Sequence, residues 1–184
     1  MPLIAKGSGA RDFTPAPKGT FRAVCVDVVD LGEIEETWEG KSKKSHKVRI
    51  VWQVDELMED GRPFVVAQRY TLSFNERANL RAMVEQWFAT SFTPEQESEG
   101  FDVETLIGQS CIVTVVHRTS AKGLTFANVG GVAPLMKGMP PLLGRDYKRV
   151  KDRDVTAKSS GPADPGEWDE LNPPPATDAD ALPF

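Results

Sequence analysis

The sequence predicts a mainly β domain of five strands, with one helix between the third and fourth, set between a flexible arm and an acidic tail. Three observations predict it. Short runs rich in β-branched residues carry apolar side chains at the two-residue strand period, two of the gaps between runs hold glycine-bearing turns, and only one stretch has helical spacing.

Residues 1–18 mix Gly, Pro, Ser and Lys without periodicity and read as the arm. Thr20 to Asp30, TFRAVCVDVVD, is a first strand whose two faces do not separate cleanly. The polar stretch 33–45, with Trp38, Gly40 and three lysines, is a long loop or a hairpin tip. His46 to Glu56 alternates Val48, Ile50, Trp52 and Val54 with Lys47, Arg49, Val51 and Gln53, so one face is apolar and the other partly basic. Asp60-Gly61 then turns the chain into a third strand over 63–72, antiparallel to the second. Matching parity puts Phe64, Val66, Tyr70 and Leu72 on one face and Val65, Ala67, Arg69 and Thr71 on the other.

Ser73 and Glu76 have capping-box spacing, and Leu80, Met83, Val84, Trp87 and Phe88 follow at helical spacing to about Thr90. FDVETLIG at 101–108 suggests a short helical turn closed by Gly108. Cys111–Arg118 and Leu124–Val129 are the last two strands, joined by a hairpin loop containing Lys122 and Gly123. This order points to an OB-fold, a five-stranded Greek-key barrel that binds oligonucleotides on the face around strands two and three and with the loops after strands one and four. The domain is expected to span 19–137. Beyond it, 138–184 reads as a disordered, proline-rich acidic tail.

Composition narrows the function. The net charge of −5 conceals a split: residues 161–184 hold six acidic side chains and no Lys or Arg, and the other 160 residues carry 22 basic against 21 acidic. The whole-chain balance therefore says little about affinity for phosphates, which respond to a local patch. No run approaches the ~20 apolar residues of a membrane helix, and no secretory signal opens the chain. Cys25 and Cys111 each lie in an apolar run and read as reduced, buried thiols of a cytoplasmic protein.

Catalysis finds no constellation. Gly40-Lys41-Ser42 imitates the end of a phosphate-binding loop, but Glu35 stands where that loop needs glycine and a strand follows where it needs a helix. His46, His117 and the two cysteines lie singly in separate runs, without the close ligand pairs of a zinc site. No cofactor is expected, and the protein reads as a binder rather than an enzyme.

Binding has better candidates. Lys41, Lys43, Lys44, Lys47 and Arg49 lie within nine residues, Gln53 follows on the same parity, and Arg69 should share their face. Trp38, isolated in a polar stretch, is the best candidate for stacking on a base. Trp52 and Trp87 fall on apolar stripes and read as core. Tyr70 does too, although a register slip of one residue would turn it outward beside Arg49. Arg118 and Lys122 in the last hairpin are further candidate phosphate contacts, or solvated charges of a loop.

The chain closes on Asp178-Ala-Asp180-Ala-Leu182-Pro183-Phe184. A terminal Phe can enter an apolar pocket while carboxylates meet basic side chains of a partner. This end resembles the acidic tip of bacterial single-stranded DNA-binding proteins, with Leu182 in place of their Ile and alanines between the aspartates. The body, through KVRIVWQVDE, DGRPFVVAQRYTLSFNERANLRAMVEQW, FDVETLIGQSCIVTVVH and GGVAPLMKG, resembles phage-encoded single-stranded DNA-binding proteins with an OB-fold, over about residues 19–138. The resemblance implies single-stranded DNA binding during replication, recombination or repair in a bacterial host cell, and recruitment of replication or recombination proteins by Asp178, Asp180, Leu182, Pro183 and Phe184. An RNA-binding or cold-shock-like module and a strand-annealing recombination protein are the alternatives. A homo-oligomer is compatible with each, and no membrane partner is expected.

Overall fold

The computed structural model describes residues 14–153. Its strands are β1 (Gly19–Trp38), β2 (Lys41–Leu57), β3 (Pro63–Thr71), β4 (Ser110–Thr119) and β5 (Thr125–Ala133). They form one antiparallel sheet in the order β3-β2-β1-β4-β5. The edge strands β3 and β5 approach each other, but no ladder joins them, so the sheet is open rather than the closed barrel expected. Two helices, α1 (Asn79–Phe88) and α2 (Pro94–Glu99), and a 3-10 turn at Val103–Leu106 connect β3 to β4. No helix among the described residues is long and apolar enough to cross a membrane.

The central strand explains why its two faces are hard to separate in the sequence. β1 pairs with β4 over Gly19–Val24 and with β2 from Ala23 to Trp38, and it bulges twice, between Cys25 and Asp27 and between Asp30 and Gly32. A bulge inserts one residue and reverses parity beyond it. Ala23, Cys25 and Val28 therefore face the main core, whereas Val24, Val26 and Asp27 face the other side. Gly32 sits at φ +69°, in the left-handed region open to glycine.

The stretch 33–45 is no loop. β1 and β2 continue through it as a paired ribbon to a two-residue turn at Glu39 and Gly40, whose φ of 49° and 78° suit the twist of a tight hairpin.

Helix α1 packs Leu80, Met83, Val84 and Trp87 onto the inner face of the sheet, as its spacing predicts, whereas Phe88, the last residue of that expected stripe, is exposed. The Trp52 and Trp87 rings lie 6.0 Å apart. Ser73 and Glu76 do not cap it: the helix begins at Asn79 behind Ala78, which makes no side-chain cap. The capping box in this region belongs to α2, where Thr93 and Gln96 bond reciprocally.

The folded body does not end at Lys137. Residues 138–153 cross the outer face of the sheet as a strap, and Leu142 and Tyr147 cover a second apolar cluster of Val24, Val26 and Val51. At the other end, Ala16 of the expected arm is buried in the main core, and its carbonyl is 2.7 Å from His117 Nε2.

Candidate nucleic-acid interface

The outer face of β2 and β3 collects four of the residues singled out for binding, Lys47, Arg49, Gln53 and Arg69, because β2 and β3 pair in the register their parity implies. Arg49 stands directly opposite Arg69, with Lys47 opposite Thr71 and Gln53 opposite Val65. The two arginines are half-buried. Desolvation holds the Arg49 guanidinium below its ordinary pKa; Tyr147 and Asp27 act the other way, and the like charge of Arg153 adds to the lowering. Arg69 is lowered mainly by desolvation, opposed by Glu36 and reinforced by Arg49. Two like charges, partly stripped of water, therefore stand on neighbouring strands of one face.

Lys47, Gln53 and Tyr70 are engaged within the protein. Lys47 is buried, with Nζ 3.0 Å from Glu36 Oε2 and 3.1 Å from Thr71 Oγ1. Gln53 is buried too. Its Nε2 donates to the Arg145 carbonyl at 2.6 Å and its Oε1 accepts from the Arg145 N–H at 2.8 Å, so it clamps the strap. Tyr70 lies opposite Val48 and packs against the main core, where burial raises its phenol pKa, so the slip that would turn it outward does not occur.

Lys43 and Lys44 are exposed, but they stand opposite Glu36 and Glu35 across the ribbon. Directly opposed unlike charges compensate each other. From Asp30 to Lys47 the ribbon carries five acidic against four basic side chains, so the dense lysine run does not make a basic surface. Trp38 is the last β1 residue before the turn, paired with Lys41. Arg118 and Lys122 are exposed on the β4–β5 hairpin, which leaves the sheet at the opposite end of β1 from the ribbon tip. Asp178, Asp180, Leu182, Pro183 and Phe184 lie outside the described residues.

Sequence reasoning missed the strap. Its anchor is Asp27, 1% exposed on the outer side of the first bulge. The Asp27 carboxylate accepts from Arg149 Nε at 3.0 Å, from the Val150 N–H at 2.7 Å and from the Tyr147 hydroxyl at 3.4 Å. Arg149 also donates to Glu104 at 3.0 Å. Burial and the nearby Asp27 charge push the Tyr147 phenol up to about 12. The Arg153 guanidinium lies over the Tyr147 ring, 5.5 Å from its centroid. One signal was legible: an aspartate inside a strand of valines must find a partner if it is buried.

No protein-family model matches this chain, and no curated protein matches it. Among the described residues, no group of three His, Cys, Asp or Glu side chains is placed to hold a metal ion.

Proposed function

We propose that this protein is a non-enzymatic binder of single-stranded DNA that holds the strand on the outer face of β2 and β3. The observation that carries the reading is the direct opposition of Arg49 and Arg69 on that face. The strand order, with β3 and β5 drawn toward each other, supports an OB-like Greek-key barrel whose last seam is not hydrogen-bonded. Such barrels bind oligonucleotides around strands two and three and with the loops after strands one and four. In this chain those loops carry Trp38 at one tip and Lys122, beside Arg118, at the other.

Phosphate contacts give affinity with little regard for sequence, and aromatic stacking is equally tolerant of base identity. The reading is therefore one of general protection of exposed strands during replication, recombination or repair of phage DNA in a bacterial cytoplasm. The terminal segment Asp178–Phe184 would recruit partner proteins, its Phe184 as apolar anchor and its carboxylates as charge.

Titration with oligo-dT across a salt series tests it. Replacing Arg49 and Arg69 together by Gln should weaken binding and flatten the slope of log affinity against log salt by roughly 0.7 per lost contact. An unmodified chain that does not bind oligo-dT at low salt, or that prefers an RNA strand of equal length, overturns it.

A further inference from the structure

The strap contributes more than cover. Over residues 145–153 it carries five basic side chains against two acidic ones, the reverse of the tail expected from the sequence beyond 137. Arg149 is committed to Asp27 and Glu104, and Lys151 lies 3.6 Å from Glu104. The strap and the two carboxylates that hold it still sum to a positive charge. Its placement makes that charge continuous with the arginine pair. Tyr147 packs on the Val24, Val26 and Val51 cluster, Arg153 lies over the Tyr147 ring, and Arg49 interacts electrostatically with both.

We propose that the strap is part of the nucleic-acid surface: Arg153, seated on Tyr147, extends Arg69 and Arg49 into one strip of three guanidinium groups that receives the phosphates of a single strand. This rests on the reading of the β2–β3 face given above. The ribbon, with its opposed glutamates and lysines, is secondary to the strip. Arg153 Nε donates to the Lys148 carbonyl at 3.1 Å, a second restraint on the guanidinium beside its place over the ring. A preset guanidinium loses less freedom on meeting a phosphate than a lysine on a solvated tip does.

The strap is built in rather than poised to leave. Three hydrogen bonds to Asp27 and two to Gln53 tie it to the sheet, and two apolar side chains are spread beneath it. A strand that first had to displace it would break all of these, whereas a strand lying along it would break none.

The test is oligo-dT titration of the full chain by fluorescence anisotropy, in parallel salt series, with thermal melting of every variant. Arg153→Gln should weaken binding about fivefold at 0.1 M salt and flatten the slope by about 0.7, and Arg153→Lys should retain most of the slope. Lys43→Gln with Lys44→Gln should flatten it less than Arg153→Gln alone. Asp152→Asn adds charge to the strap without removing a described side-chain contact, so it should tighten binding even if Arg153→Gln proves unstable. If Arg153→Gln and Asp152→Asn both bind as the unmodified chain does while Arg49→Gln with Arg69→Gln weakens binding, the strap lies outside the site and the face stands. Tighter binding by Arg153→Gln would make the strap a competitor of DNA and overturn the proposal. If the unmodified chain fails to bind, both readings fall together.

Discussion

Asp27 on β1 and Arg149, 122 positions later, meet at 3.0 Å under the strap. The carboxylate is almost wholly out of water, and removing its charge partner strands it there. Arg149→Gln should cost on the order of 3 kcal/mol in urea unfolding. Asp27→Asn should cost less, because the amide oxygen still accepts from Val150 N–H. The double variant should lose less than the sum of the two. Additive losses would mean that the pair does not act as a unit.

Removal of the strap should be costly where the sequence places a dispensable tail. A chain ending after Lys137 should melt well below one ending after Arg153, since burying Leu142 and Tyr147 contributes on the order of 3 kcal/mol before the hydrogen bonds are considered. Equal melting temperatures would show that the strap does not stabilise the sheet.

The two core tryptophans should respond unequally to the same change. Trp87 Nε1 donates to the Ser110 carbonyl at 3.1 Å, while Trp52 Nε1 has no partner among the described residues. Both rings are fully buried, so Trp→Phe removes similar volume at each. Trp87→Phe should therefore be the more destabilising by about 1 kcal/mol, measured by urea midpoints. The opposite order would show that packing, not the hydrogen bond, separates them.

Alkali should unfold the protein. Burial raises the Cys25 thiol from 9.0 to about 12, raises Cys111 in the same direction, and lifts the Tyr147 phenol to about 12. Each group keeps its proton in the folded chain and gives it up sooner in the unfolded one. Above about pH 9 the unfolded state therefore binds fewer protons, and stability falls as pH rises toward 12. Stability from these groups is fully present below about pH 8. Urea midpoints taken from about pH 8 to 11 should drop, and Cys25→Ala should make the drop shallower. A flat profile would mean that these thiols and this phenol are not held protonated.

Much of the fold and part of the site were legible. Parity alone placed Arg49 and Arg69 on one face, because neither β2 nor β3 bulges between Lys47–Gln53 and their partners. It failed on β1, where two inserted residues change which positions face the core. The lysine run misled for a different reason. Lys43 and Lys44 look unopposed in the chain, and only the hairpin register brings Glu36 and Glu35 across from them. Ser73 and Glu76 had the right spacing for a cap, but Ser73 N–H is taken by the Thr71 carbonyl in the turn that leaves β3, and the helix starts later. The strap was unreadable because its charges suggested solvent. Its hold on the sheet comes from Asp27, Gln53 and an outer valine cluster, all far away in the chain.

The distance between Asp27 and Val150 also imposes an order on synthesis. A ribosome releases β1, β2 and β3 well before the segment that covers their outer face, so Val24, Val26 and Val51 wait uncovered while some eighty further residues are made. Through that interval the nascent sheet presents an apolar patch beside a carboxylate that has not yet met its arginine. Chaperones have their clearest opportunity there, and slow translation between β3 and the strap would lengthen the exposure.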